Sequence, residues 1–174
     1  MRFAGSCYRA VDPVRAAAPL SGDGAAMRGG RFNAKGQPAL YLALSIEGAV
    51  VEAAQGFGHR LEPLTICMYE VDCADIVDLR DDAGRAAARV ELDDMACPWA
   101  LDLANGVEPA SWRVVRRLVA GGAAGILVPS FANRARADMT NLVLWQWGPE
   151  RPHQVLVHDP HGRLPKDQRS WDLP

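Results

Sequence analysis

No apolar run in this chain approaches the roughly 20 residues that a membrane-spanning helix needs, so the sequence points to no membrane span. It lacks a basic surplus. With 19 Lys and Arg against 21 Asp and Glu, the net charge of −2 argues against direct nucleic-acid binding, because phosphate binding usually shows as excess positive charge. Internal repeats are absent. The four cysteines, at 7, 67, 73 and 97, form no Cys-x-x-Cys and have no histidine at zinc-finger spacing, so no metal is expected. They read as free thiols in a reducing cytoplasm, with no secretory leader at the start. Three nucleotide and nucleophile signatures are also missing: the Gly-Lys-Ser/Thr ending of a Walker loop, Gly-x-Gly-x-x-Gly, and the Gly-x-Ser-x-Gly elbow.

What is present is an ordinary globular composition. The 174 residues suffice for a single domain, with 49 % hydrophobic and 23 % charged residues. Met1 to Tyr8 reads as a short edge strand, and residues 11–30, rich in Pro, Gly and Ala, as a loop. A short buried strand is expected over Ala39–Ala43. Ser45 is a good N-cap for a helix from Ile46 to about Gln55, which Gly56 stops. Strands are expected at Leu64–Val71, Ile76–Leu79, Gly125–Val128, Asn141–Trp147 and Gln154–His158. Helices are expected from about Asp82 to Met95, closed by Pro98, and from Pro109 to Gly121-Gly122. The stripe Trp112, Val115, Leu118 and Val119 marks the buried face of the last one. Elements mix without regular alternation, which favours an α+β fold with a mixed central sheet and flanking helices. The tail over 160–174 is polar and reads as irregular.

The chemistry concentrates between Gly29 and Glu52. Gly30 and its neighbour Gly29 free the backbone to approach an anion, and Arg31 supplies a fixed cation. A hairpin turn would account for Gly-Gly-Arg equally well. Tyr41 offers a flat ring. On a helix with Ile46, Ala49, Val50 and Ala53 facing the core, Glu52 lies about 120° from the centre of that face, on the flank where a cleft would open. An exposed glutamate explains that position too, but the combination with Arg31 and Tyr41 favours a site. Ser130 follows a buried strand that Pro129 ends, a place where ligand contacts are common. Asn133 lies three residues on, and both are also ordinary turn residues. The histidines at 153, 158 and 161 fit no ligand pattern. Arg113, Arg116 and Arg117 read as a solvated helix face.

The chain resembles the RES domain toxins over about residues 5–158. The resemblance rests on Arg31 in Gly-Gly-Arg-Phe-Asn, Glu52 in Ala-Val-Val-Glu and Ser130 in Leu-Val-Pro-Ser, with Tyr41 at the strand position. Cys-Tyr-Arg at 7–9 and Leu-Ser-Gly-Asp-Gly-Ala at 20–25 match the N-terminal segment, and Phe32 stands where tryptophan is commoner. This resemblance implies a single RES domain with a fold similar to the ADP-ribosyltransferase catalytic core. It implies the cytoplasmic toxin of a type II toxin–antitoxin pair, with an Xre-type helix-turn-helix antitoxin as partner. Its substrate would be NAD⁺, cleaved at the nicotinamide–ribose bond, with ADP-ribose passed to a protein acceptor. Free hydrolysis or phosphorolysis of NAD⁺ is the near alternative, and a non-catalytic nucleotide-binding module the distant one. A metal-dependent hydrolase using the C-terminal histidines is the least supported. In the favoured mechanism Glu52 and Arg31 are catalytic, and Gly30, Arg31, Tyr41, Ser130 and Asn133 bind the dinucleotide.

Overall fold

The computed structural model describes residues 1–54 and 62–169. A seven-stranded mixed sheet runs through it in the order β4-β5-β6-β2-β1-β3-β7. The strands are β1 (Phe3–Val11), β2 (Leu40–Ala43), β3 (Thr65–Cys73), β4 (Ile76–Asp78), β5 (Gly125–Pro129), β6 (Thr140–Leu144) and β7 (His153–Val157). Six α-helices flank them among the described residues: α1 (Asp23–Arg28), α2 (Ile46–Ala53), α3 (Asp82–Ala88), α4 (Leu92–Ala96), α5 (Trp99–Ala104) and α6 (Ala110–Ala120). The fold is therefore α+β, as the element pattern implies. Among the described strands only β4 and β5 run parallel, and α3 to α6 make the long crossover that parallel neighbours require.

Alternation along the central strands divides the core in two. Leu40, Leu42, Leu127, Leu142 and Leu144 face one side with Cys7, Tyr69 and Val155. Ile126, Val128 and Val143 face the other, under Met95 of α4 and Val114, Val115 and Leu118 of α6. All four cysteines are free and buried. Burial pushes the Cys7 thiol up to about 12 and the Cys73 thiol to about 11, so both stay protonated at neutral pH.

Several sequence expectations need correcting. The first strand is not an edge. β1 pairs with β3 along its whole length, Phe3↔Cys73 to Val11↔Thr65, and lies inside the sheet. The segment 11–30 is not all loop: a 3-10 turn (Pro13–Arg15) and α1 punctuate it. The helix expected over 82–95 is two helices. Arg89 adopts a left-handed conformation at φ 53, and Arg117 donates to the carbonyls of Ala88 and Arg89, which ends α3 by a tertiary contact. Pro98 follows the end of α4, as expected, and also caps the start of α5, while Pro109 is the N-cap of α6 instead of its first residue. β6 ends at Leu144, short of Trp147. The end expected at Gln55 and Gly56 lies outside the described residues. Residues 160–169 are irregular, as expected.

The pairing of β1 with β2 is the unusual feature. These neighbours share only Tyr8↔Ala43, whereas β1 and β3 share nine pairs. The sheet thus splits between β1 and β2. The connection from β2 to β3 passes over β1 through α2, which packs against β1 and β2 beside the split. Ser45 caps α2 by accepting the Gly48 N–H at 3.0 Å.

The sheet centre should dominate stability. Leu142 is fully buried between Leu42 and Leu127. Leu142→Ala is expected to cost about 2–5 kcal/mol in urea unfolding. A loss below about 1 kcal/mol would mean that the centre repacks around the missing side chain.

Candidate functional site

The site forms where the sheet splits. α2 brings its inner face down on β1, and that face is Gly48 and Ala49, both buried, while Ile46 is 52 % exposed. Small residues allow the close approach. Glu52 is four residues after Gly48 and three after Ala49, so it lies on the inner face, one turn on. The flank position expected from an Ile46–Val50 stripe is therefore wrong, and Glu52 is placed deeper than that.

Two donors from neighbouring elements meet the Glu52 carboxylate. Ser130, just past β5, donates its hydroxyl to Oε1 at 2.5 Å. Asn141, on β6, donates its amide to the same oxygen at 2.5 Å. Hydrogen bonds to an ionised acceptor are short and strong, and two of them fix the carboxylate's orientation. Asn141 carried no signal in sequence beyond being the start of a strand.

Arg31 approaches from the glycine loop. Its Nη1 donates to the carbonyls of Met95 at 3.0 Å and Cys97 at 2.6 Å. Its Cζ lies 5.0 Å from the centre of the Phe131 ring, within cation–π range. Burial lowers the guanidinium's proton affinity, and Cys97, Glu52 and Tyr41 partly restore it. Two N–H groups are spent on carbonyls, and a guanidinium has five.

Tyr41 contributes its ring and uses its hydroxyl locally. The hydroxyl donates to Asn33 Oδ1 at 2.8 Å and accepts the Phe32 N–H at 3.0 Å. Burial pushes its pKa well above the usual phenol range, so it stays a donor at any physiological pH. Asn33 is fully buried and donates onward to the carbonyls of Ala25, Ala34 and Gln37. A Cβ on Gly30 would fall 2.7 Å from both Asn33 Oδ1 and the Tyr41 hydroxyl, so only glycine fits against this pair.

Three consecutive carbonyls of the loop are also tethered. Trp112 Nε1 donates to Gly30 at 2.8 Å, the Ser111 hydroxyl to Arg31 at 2.6 Å, and Trp145 Nε1 to Phe32 at 2.8 Å. Trp112 was expected only as part of a buried helix stripe. Ser111 is fully buried on α6, whose inner stripe is Ser111, Val114, Val115 and Leu118, one step from the stripe read in sequence. Arg113, Arg116 and Arg117 are exposed, as a solvated face should be.

Arg31, Tyr41 and Glu52 line one cavity of about 270 Å³, together with Gly30, Phe131 and Asn141. Tyr41, Glu52 and Asn141 also line an adjoining cavity of about 250 Å³ against Tyr8 and Ala49. Arg9 borders both, anchored by Nη1 to the carbonyls of Pro19 and Ser21. The sequence placed Arg9 in a matching segment without assigning it a role. Ser130 lines neither cavity and reaches the site only through Glu52. Asn133 is exposed and lines neither cavity. Among the described residues no group of three or more His, Cys, Asp and Glu side chains could hold a metal ion. The arrangement offers an acceptor-only carboxylate, a cation and an aromatic face around one opening.

A chain of the crystal structure of the M. tuberculosis MbcT–MbcA toxin–antitoxin complex is similar in structure, with a TM-score of 0.63 and 25 % sequence identity. The match covers 91 % of this chain and 84 % of that one. None of the curated proteins matches the sequence significantly. The family model of the RES domain matches residues 6–167, so the chain belongs to the RES domain family.

Proposed function

We propose that this chain is the toxin of a toxin–antitoxin pair and acts as an NAD⁺-consuming ADP-ribosyltransferase in the cytoplasm. The observation that carries the reading is the meeting of Glu52, Arg31 and Tyr41 on one cavity. The similarity to a toxin–antitoxin complex supports a protein partner, proposed to be an Xre-type helix-turn-helix antitoxin.

The chemistry follows from the charges. The bond between nicotinamide nitrogen and ribose C1′ breaks, and its electron pair leaves with the nicotinamide. The leaving group starts cationic and ends neutral, so no general acid is needed. Positive charge develops on the ribose, as in other glycosidic cleavages. Glu52 stabilises that charge, directly or through the ribose hydroxyls. Ser130 and Asn141 hold the carboxylate in place, so little reorganisation is needed as charge appears. Arg31 binds the adjacent phosphate with the N–H groups that the Met95 and Cys97 carbonyls do not use. The Tyr41 ring packs against the nicotinamide or its ribose. A nucleophile of the acceptor protein then attacks C1′ and gives up its proton. With water or phosphate as nucleophile the same site consumes NAD⁺ without modifying a protein.

Glu52→Gln is expected to lower nicotinamide release from NAD⁺ by about 10²–10³ while the melting temperature changes little. Turnover near the wild-type level would remove Glu52 from the mechanism. Mass spectrometry of cell protein exposed to the toxin should find added ADP-ribose, and NAD⁺ loss without it would identify hydrolysis or phosphorolysis instead.

Arg31→Ala should act twice. It should raise KM for NAD⁺ by roughly tenfold or more and destabilise the fold by about 1–3 kcal/mol, because two carbonyls lose a charged donor. An unchanged melting temperature would show that the Met95 and Cys97 contacts are incidental.

A further inference from the structure

Two more arginines border the cleft with no assigned task. Arg15, at the end of the 3-10 turn, and Arg28, in the last turn of α1, both line the cavity that holds Arg31 and Glu52. Both are exposed. Among the described residues neither side chain forms a hydrogen bond or an ion pair. They nevertheless converge. A Cβ on Gly24 would fall 2.6 Å from Arg15 Nη1 and 3.7 Å from Arg28 Nη2. Two guanidinium groups thus converge over a residue with no side chain, and neither is ion-paired among the described residues. Like charges brought together repel, and a shared anion removes that repulsion.

The position along the cleft says which anion. Arg31 interacts electrostatically with Glu52 and lies at the reacting end. Arg15 and Arg28 also line a larger cavity of about 630 Å³ that continues past α1. That volume falls within the range of about 300–1,000 Å³ usual for small-molecule sites. Val11, Leu64 and Met27 supply apolar surface there, and Met27 is 69 % exposed. The acids on its rim include Asp12 and Asp23, and both already accept hydrogen bonds, from the Val14 N–H and from Ser21. Glu62 is a third, and it forms no ion pair among the described residues.

We infer that Arg15 and Arg28 form a second anion subsite, which holds the phosphate on the adenosine side of a dinucleotide while Arg31 holds the one on the nicotinamide side. The adenosine then occupies the larger cavity, with its base against Met27. This inference rests on the proposed NAD⁺ reading and adds a selectivity to it: the site distinguishes a nucleoside diphosphate from a monophosphate. Arg9, tied by Nη1 to the Pro19 and Ser21 carbonyls, stands between the two subsites.

The test uses binding, so it does not depend on turnover. The full chain is titrated calorimetrically with ADP and, separately, with AMP. Wild-type protein is expected to bind ADP more tightly than AMP. Arg15→Ala/Arg28→Ala should weaken AMP and ADP alike by roughly tenfold or more, because both carry the adenosine-side phosphate, and should leave the preference for ADP that Arg31 supplies. Arg28→Glu should weaken ADP further. Both side chains are exposed and form no hydrogen bond or ion pair among the described residues, so melting curves should match the wild type. The subsite is overturned if ADP does not bind, if AMP binds equally well, or if the variants bind AMP and ADP as tightly as the wild type. Nicotinamide release from NAD⁺ by the wild type, measured alongside, reports on the catalytic reading separately.

Discussion

The single pairing of Tyr8 with Ala43 is the constraint on which the rest depends. A sheet whose neighbouring strands pair along their length offers no opening between them. Here β1 pairs along its length with β3 and at one position with β2, so the two halves of the sheet part. Backbone groups at such a parting need other partners or water. The connection from β2 to β3 has to cross β1, and its helix arrives at the split for topological reasons. What makes the split a site is that the residue at the end of that helix's inner face is a glutamate.

A carboxylate lodged between strands needs donors, and two adjacent strand positions provide them. Asn141 faces Ala43 across the β2–β6 pairing, and Ser130 follows Pro129, which pairs with Thr140. Both donors therefore come from rigid sheet register and not from mobile side-chain searches. The cation opposite is built the other way. Arg31 sits on a loop, and its position is borrowed from carbonyls at the end of α4, from the Phe131 ring and from the Tyr41–Asn33 pair below it. Carboxylate and guanidinium are thus fixed by independent parts of the fold.

Much of this was legible in the sequence, for definite reasons. The Gly-Gly-Arg turn, the strand with Tyr41 and the Ser45 cap are local, so local rules found them. Ser130 was found as a residue after a strand, yet the other donor to Glu52, Asn141, was not, because Glu52 and Asn141 are 89 residues apart. The break between α3 and α4 escaped notice because no glycine or proline marks it, and Arg117 caps α3 from another helix. The place of β1 inside the sheet was not legible because its partners on β3 lie far along the chain, from Phe3↔Cys73 to Val11↔Thr65. The face of α2 was misassigned because apolar size was taken as the guide. The structure selects Gly48 and Ala49 for closeness and leaves Ile46 in solvent.

The three tethered carbonyls of Gly30, Arg31 and Phe32 have one more consequence. Two of the tethers, Ser111 and Trp112, belong to α6, a helix that borders neither reaction cavity. The mouth of the cleft is held in shape from behind, much as a stretched membrane is held by its frame. Displacing a reacting group by about 1 Å can slow a reaction a hundredfold. Drift in the packing of a remote helix therefore reaches the chemistry as directly as a change at the rim. Selection for activity in such a protein acts on a buried serine that no substrate ever meets.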